Sequence, residues 1–469
     1  MDECPSRQHI LHPAEIALQG ISTYNRVSVS VLLLSTYDLG RQPVGLASPA
    51  AWLRQAGFTV TTCDLSRDRL PDEQVKAASM VAFFLPMHTA TRLAIPVVHR
   101  VRALNPETTI VAYGLYAPLS AELLREHGVQ HVLGPEAEAD LVALVEGRAV
   151  GTGTQLSRPP ISRLPSIVPD RTSLPGLDRY ATLVMPDGTS RVAGSTDATR
   201  GCKHRCRHCP IVPVYDGHFR AVAIDIVLAD IDQQVAAGAS HITFGDPDFF
   251  NGPTHARRIV ERFHDRHPEV SYDVTVKIEH LLKHRELLPL LARTGCLFVT
   301  SAVESLDDAV LALLEKGHTR ADFVSAVSLC RDAGLLLVPT FVAFTPWTTR
   351  EGYADLLDTV VALDLVEHVA PVQWGLRLLV TEGSRLLELT DIRRCLLPFD
   401  ARSLTYPWRH DDPAVDALQA AIMTMVGTRL TRPRGELFDA VRSLAGLAAT
   451  ATVLPSRSVI PYLNEPWYC

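Results

Sequence analysis

The sequence predicts an α/β protein in three parts: a doubly wound parallel sheet, then a partial parallel (βα)6 barrel, then a small, mostly helical C-terminal region. Three observations carry this expectation. Short β-branched apolar runs alternate with helical stretches through residues 27–146, the pattern of a parallel sheet with crossover helices. The alternation stops over 147–180, where Pro159, Pro160, Pro165, Pro169 and Pro175 lie among Gly, Ser and Thr and disfavour both helix and sheet interior. It resumes near Arg191 with six further strand-like runs. The chain divides accordingly into an N-terminal extension (1–26), a first domain (27–146), a Pro-rich linker lying across a surface (147–180), a barrel (181–385) and a C-terminal region with its tail (386–469).

In the first domain, residues 27–34 (VSVSVLLL) form an apolar run bounded by Ser35 and Thr36, which reads as a buried strand. A helical stretch at 50–55 follows, then strands at 58–61, 80–85, 109–113 and 131–133. Sheets of this kind bind ligands beyond the carboxyl ends of their strands. The loops starting at Ser35, Pro86, Gly114 and Gly134 are therefore the candidates. In the second part the strands fall at 191–195, 241–245, 270–277, 297–302, 335–344 and 372–379. Between the first two, Ile224, Val227, Leu228, Ile231 and Val235 recur at helical spacing and give one apolar face. A barrel places its site at the strand carboxyl ends. Helical pieces at 414–426 and 435–447 close the chain.

Composition narrows the class. Of 469 residues, 47% are hydrophobic and 21% charged, enough to build a core and too apolar for global disorder. The net charge of -7 disfavours the nucleic-acid backbone as a partner. No apolar run reaches the ~18 residues of a spanning helix; the longest, 335–344, contains Pro339 and Thr340. The start, Met1-Asp2-Glu3-Cys4-Pro5, is not a signal peptide. Nine cysteines, an odd number, fit a reducing compartment, so a cytoplasmic enzyme is the expectation.

Cys202-Lys-His-Arg-Cys206-Arg-His-Cys209 is the strongest local signal. Three thiolates in one loop can converge on one centre. Structural zinc normally takes four ligands, and here His204, His208 or a distant residue would have to supply the fourth. Three soft ligands with one open position suit a [4Fe–4S] cluster whose unique iron binds a substrate or cofactor. Spacing favours the iron–sulfur reading and leaves zinc, or a chance cluster of thiols, open.

This C-x3-C-x2-C, placed after the first barrel strand, resembles the radical S-adenosylmethionine (SAM) superfamily, and four further stretches along 195–385 match. Phe244-Gly245-Asp246-Pro247-Asp248 stands where the family has a Gly-Gly-Glu-like loop on the SAM amino group; Lys277 and Glu279 end the third strand; Ser301-Ala-Val-Glu304-Ser305 resembles Gly-x-Glu-Ser; Phe344-Thr345-Pro346-Trp347-Thr348 resembles an apolar-Gly-x-Pro loop. The second strand lacks the double Gly and the Glu, and Ser301 replaces a common Gly. The resemblance implies a [4Fe–4S] cluster on Cys202, Cys206 and Cys209, with SAM contacts from Gly245, Asp246, Lys277, Ser301 and Glu304. It also implies one-electron reductive cleavage of a carbon–sulfur bond of SAM, usually giving a 5′-deoxyadenosyl radical. Plainer roles stand beside these: Asp246 and Asp248 suit caps for the next helix, Glu304 a solvated loop acid, and Lys277 a partner for Glu279 or Glu304. His204 and His208 would shield the cluster, and Arg205 and Arg207 would make its loop electropositive.

The first domain resembles the flavodoxin-like cobalamin-binding domains of B12-type radical SAM enzymes. The matching pieces are Pro86–Thr91 with Thr89, Tyr113–Ala117 with Gly114, and Gly134-Pro135-Glu136-Ala137-Glu138, which resembles Gly-Glu-x-Glu. Many such domains carry Asp-x-His-x-x-Gly after strand one; here the stretch is Ser35-Thr36-Tyr37-Asp38-Leu39-Gly40. No histidine ligand is expected from that loop, and Tyr37 or Asp38 would face the cobalt or a water. His88 reads as a hydrogen-bonded loop residue, and a domain that kept the fold and lost the cofactor is the alternative.

The end, Tyr462-Leu-Asn-Glu-Pro-Trp-Tyr-Cys469, resembles the radical SAM subfamily with a Cys-Sec-Ala-Glu-Pro or Cys-Cys-Ala-Glu-Pro (CUAEP/CCAEP) tail. On that reading Cys469 is a catalytic thiol and the next codon is UGA for selenocysteine; an ordinary terminal Cys is the alternative. The expected partners are a small-molecule substrate and an electron donor such as flavodoxin or ferredoxin, with no membrane. The rival classes are a non-catalytic zinc or iron–sulfur sensor and a tRNA-modifying enzyme. The acidic balance and the lack of a basic RNA-binding module disfavour the latter.

Overall fold

The computed structural model describes residues 29–150, 167–429, 432–450 and 459–464. In the first domain, β1 (Ser30–Ser35), β2 (Thr59–Asp64), β3 (Met80–Phe84), β4 (Thr109–Tyr113) and β5 (His131–Val132) form one parallel sheet in the order β2-β1-β3-β4-β5. The uninterrupted apolar run of β1 is explained by burial on both faces. Leu32 and Leu34 pack into one layer with Val98 and Val101, while Val31 and Leu33 pack into the other with Leu46 and Leu141. Chain order reverses between β1 and β3, so the loops leaving them diverge and open a crevice at their carboxyl ends. The first helix, Val44–Gln55, begins six residues before the predicted stretch.

The second sheet has the order β13-β12-β11-β10-β7-β6-β14. Its parallel strands are β7 (Ser190–Thr196), β10 (His241–Phe244), β11 (Ser271–Thr275), β12 (Cys296–Glu304) and β13 (Leu336–Phe341), which curl into a half-barrel. Two short antiparallel strands that the sequence did not announce, β6 (Thr182–Val184) and β14 (Tyr462–Leu463), extend its edge. A separate hairpin, β8 (Thr199–Gly201) with β9 (Phe219–Ala221), stands beyond β7. The largest core cluster packs the strands against the surrounding helices, with Phe244, Phe263, Tyr272, Phe341 and Trp374 all essentially inaccessible.

The predicted sixth strand at 372–379 is a correction. Pro371–Gly375 is a 3-10 turn, and only one parallel bridge, Phe344 with Arg377, remains of the expected pairing. Pro371 lacks the N–H a ladder needs. Gln373 instead caps the sheet edge, its Oε1 accepting from the Phe341 N–H at 2.9 Å, while Trp374 inserts between Phe341 and Phe438.

The linker also differs from a strand of chain lying on a surface. Arg171 plunges between the two domains, where it donates to both carboxylate oxygens of Asp230 (2.8 and 2.9 Å), to Gln42 Oε1 and to the Ser195 carbonyl. The N-terminal extension, residues 151–166 and residues 465–469, with Cys469, lie outside the described residues.

Candidate active site

The cluster loop hangs from the β8–β9 hairpin rather than directly from β7. Its entry is Gly201, held at φ +79; a Cβ there would collide with the Tyr215 ring and come within 2.6 Å of the His218 carbonyl, so only glycine fits. Cys206 is buried, and Cys202 and Cys209 are half-buried. Burial pushes the Cys202 thiol up to about 11 and the Cys209 thiol to about 12, and each is raised further by neighbouring cysteines of the set. The three sulfurs therefore share one neighbourhood. The backbone N–H of His204 faces Cys202 and that of Ile211 faces Cys209, the kind of N–H to sulfur bond that tunes a cluster's potential.

The arginines of this loop do not leave it electropositive, which corrects the sequence expectation. Arg205 pairs with Asp216 (2.6 Å), and Arg207 with Glu315 (2.5 Å) and Glu388 (3.5 Å). From the end of the barrel segment, Arg385 reaches the Arg205 carbonyl at 2.7 Å and Glu315 at 2.8 Å. The charges are spent on clamping the loop.

Asp246 also braces it. Its Oδ2 accepts from the Ala198 N–H at 2.8 Å and its Oδ1 from the Thr199 hydroxyl at 2.5 Å, tying the end of β10 to the approach to Cys202. Both oxygens are thus engaged, which places Asp246 as a positioning residue rather than a helix cap. Burial and the nearby Asp197 push its carboxyl up to about 7. Asp248 is the one that caps, accepting from the Phe250 N–H at 3.0 Å. Gly245 sits so close to Asp197 that a side chain there would collide.

Glu304 ends β12 at a register shift, in the left-handed region at φ +70. Its Oε1 lies 3.2 Å from His208 Nε2 and 3.5 Å from Lys316 Nζ. Burial opposes its ionisation, yet Lys316 and His208 win and hold its carboxyl at about 2. A strained backbone keeping a charged carboxylate at a barrel mouth is a functional signature. Lys277 Nζ contacts Glu279 (3.1 Å) and His204 Nδ1 (3.2 Å). Two buried polar groups here find no partner among the described residues: the Ser301 hydroxyl and both ring nitrogens of His318. Burial, with Lys316 and Lys277 nearby, pushes the His318 imidazole down to about 4. Orphaned polar atoms of this kind call for a polar ligand. Lys316 and His318 lie in an ordinary-looking loop, and no motif in the sequence singled them out.

Residues 197–360 match the radical SAM superfamily. The chain carries a radical SAM domain. Such a domain implies a [4Fe–4S] cluster and SAM. The residues fit both, with three convergent thiols for the cluster and unpaired Ser301 and His318 beside charged Glu304 and Lys277 for a zwitterionic cofactor. Over 186 residues the chain is 25% identical to the tRNA-2-methylthio-N(6)-dimethylallyladenosine synthase of Fusobacterium nucleatum, a match spanning 35% of this chain and 40% of that enzyme. Two solved structures share the fold beyond the radical SAM domain. The cobalamin-dependent S-adenosylmethionine radical enzyme OxsB with aqua-cobalamin bound superposes with a TM-score of 0.65 at 15% identity, covering 86% of this chain and 67% of that one. The radical S-adenosylmethionine methyltransferase TsrM from Kitasatospora setae, with cobalamin and a [4Fe–4S] cluster, does so with a TM-score of 0.57 at 19% identity, covering 72% and 74%.

The mouth of the first domain faces the mouth of the radical SAM domain. Leu39, Met87, Tyr116 and Leu119, with Tyr37 and Leu115 at their edge, form an apolar patch that Val214 closes from the helix just after Cys209. Gly114, at φ +112, lets β4 turn close over β3, where a Cβ would stand 2.6 Å from the Leu85 carbonyl, and its N–H donates to the Gly134 carbonyl. Glu136 pairs with Arg220 (2.7 Å), and Glu138 with Arg200 (2.6 Å) and the Ser48 hydroxyl (2.7 Å). Burial pushes the Asp38 carboxyl up to about 7 against the pull of Arg41. Thr89 is half-buried in the first turn of the helix His88–Leu104. His88 Nε2 meets the Ser403 carbonyl. Sequence reasoning missed Arg200, Arg220 and Arg171, because their acidic partners lie 59 or more residues away and leave no local pattern.

Proposed function

We propose that this chain is a cobalamin-dependent radical SAM enzyme acting on a small molecule, by methyl transfer or by radical formation of a carbon–carbon or carbon–heteroatom bond. The observation that carries the proposal is the facing of the two mouths, with the helix after Cys209 resting on the apolar patch of the first domain. A flat macrocycle entering between the two mouths would lie next to the cluster loop. The likeness to OxsB and TsrM supports the same arrangement. The [4Fe–4S] cluster supplies the electron that cleaves SAM, and cobalamin supplies a methyl carrier or a second radical centre.

In this reading Cys202, Cys206 and Cys209 hold the cluster while Lys277, Ser301 and Glu304 orient SAM. Gly245 leaves room for it, and Asp246 fixes the loop. Tyr37, Asp38, Thr89, Gly114, Gly134 and Glu136 line the cobalamin side, and no histidine serves as lower ligand. A flavodoxin or ferredoxin delivers the electron, in the cytoplasm.

The test is anaerobic purification with cobalamin supplied, metal analysis, then reduction in the presence of SAM. About four iron and one cobalt per chain, with 5′-deoxyadenosine or S-adenosylhomocysteine released, is the expected result. Zinc in place of iron with no SAM consumed overturns the enzyme. Iron and cleavage without cobalt overturn the cobalamin half alone.

A further inference from the structure

His204, Asp248 and His280 come together from three separate elements: the cluster loop, the loop after β10 and the helix Ile278–Lys283. His280 Nδ1 lies 2.6 Å from Asp248 Oδ2, His204 Nε2 lies 3.1 Å from the same oxygen, and the two nitrogens are 3.4 Å apart. Asp248 and His280 are each 1% exposed. We infer that these three side chains form a second metal site, a two-histidine, one-carboxylate face for a divalent first-row ion of the zinc or ferrous class.

The geometry supports a metal in three ways. The triangle is small enough for one point to lie ~2.0–2.1 Å from all three atoms, the bond length zinc takes to nitrogen and oxygen ligands. Two imidazole nitrogens point at one carboxylate oxygen from positions nearly in contact with each other. A cation there would take one lone pair from each nitrogen together with the carboxylate oxygen. The surroundings also match those of ligated residues. Asp248 is fixed by the Phe250 N–H on its other oxygen, and His204 Nδ1 faces both Lys277 Nζ at 3.2 Å and Glu279 Oε2 at 3.6 Å. An ion on Nε2 needs a proton on Nδ1, which Glu279 would accept as Lys277 turns to its other partner, Glu279 itself, 3.1 Å away. Two imidazoles and a carboxylate with open positions form the donor set of catalytic zinc and of non-haem ferrous sites.

Such an ion would do something the cluster does not. His204 lies between Cys202 and Cys206, so the ion would clasp the cluster loop to β10 and β11 and place a positive centre beside it. The inference needs only the observed fold and stands apart from the cobalamin proposal.

The decisive experiment uses the full chain with its cluster reconstituted, equilibrated with one equivalent of Zn2+ and desalted under nitrogen. Four iron and one zinc per chain are expected, with the zinc lost and the iron kept in His280→Gln. Equal zinc in both proteins, or none in either, overturns the site. A second measurement covers the case that His280→Gln misfolds. Co2+ titrated into the C202A/C206A/C209A chain should give visible d–d bands at one equivalent, displaced by Zn2+. Glu279→Gln should weaken that binding about 10–100-fold, the usual effect of losing a carboxylate behind a ligating histidine. Absence of the bands, or a Glu279→Gln titration that superposes on its parent, also overturns it.

Discussion

At the scale of single residues, two carboxylates at the barrel mouth are perturbed in opposite directions, and each predicts a different behaviour. Asp246 is raised to about 7 by burial and by Asp197. Folding therefore favours its proton, and the stability this contributes is present below pH ~4 and lost as pH rises through about 7. Asp246→Asn should remove that component of the pH dependence, because an amide can accept from the Ala198 N–H and donate to the Thr199 oxygen. Asp246→Ala should instead cost about 1–3 kcal/mol for each buried partner left unpaired. Urea unfolding at pH 5 and pH 8 checks both; an unchanged pH slope in the Asn variant would contradict the assignment. Glu304 is held down at about 2 in a left-handed conformation. Alanine and glycine at 304 lose the same contacts to His208 and Lys316, so their difference isolates the backbone. Glu304→Gly should be about 1 kcal/mol more stable than Glu304→Ala, read from the shift in urea midpoint. Equal midpoints would mean that the turn relaxes and stores no strain.

At the scale of elements, the edge of the half-barrel is closed by side chains. Gln373 takes the Phe341 N–H that a sixth strand would have taken, so Gln373→Ala should leave a buried donor unpaired and destabilise by about 1–3 kcal/mol. Hydrogen exchange should show the Phe341 amide opening faster, and full protection of that amide in the variant would refute the capping role. This edge also shows how far the sequence could be read. The runs that became β1, β3, β4, β12 and β13 were legible because buried parallel strands are dominated by apolar residues, and those of β10 (HITF) and β11 (SYDVT) because apolar residues alternate along them. The run at 372–379 looked the same, yet Pro371 and the packing of Gly375 against Met423 made it a turn; local apolarity does not distinguish the two. The cysteines of the cluster loop were legible because their chemistry is set by spacing. The roles of Arg205, Arg207 and Asp246 were not, since each depends on partners set by tertiary folding: Glu315 and Glu388 for Arg207, Ala198 and Thr199 for Asp246, and the turn that brings Asp216 back to Arg205.

At the scale of the whole molecule, the two domains are joined by charge. Arg171 and Asp230 are both buried, and the arginine also binds Gln42 of the first domain and Ser195 of β7. Arg200 and Arg220 cross the same boundary to Glu138 and Glu136. A buried ion pair contributes little net stability against an apolar replacement, but removing one partner strands the other charge. Arg171→Met and Asp230→Leu should therefore each cost about 3–5 kcal/mol, while the double variant should recover most of that loss, giving a strongly non-additive cycle. What the double variant should not recover is the coupling between domains, because Gln42 and the Ser195 carbonyl lose their shared donor. Calorimetry should then resolve a single unfolding transition into two, with the first domain melting at the lower temperature. A double variant that still melts in one step would show that Arg200 and Arg220 suffice to hold the mouths together, and that Arg171 stabilises the barrel rather than the assembly of the two domains.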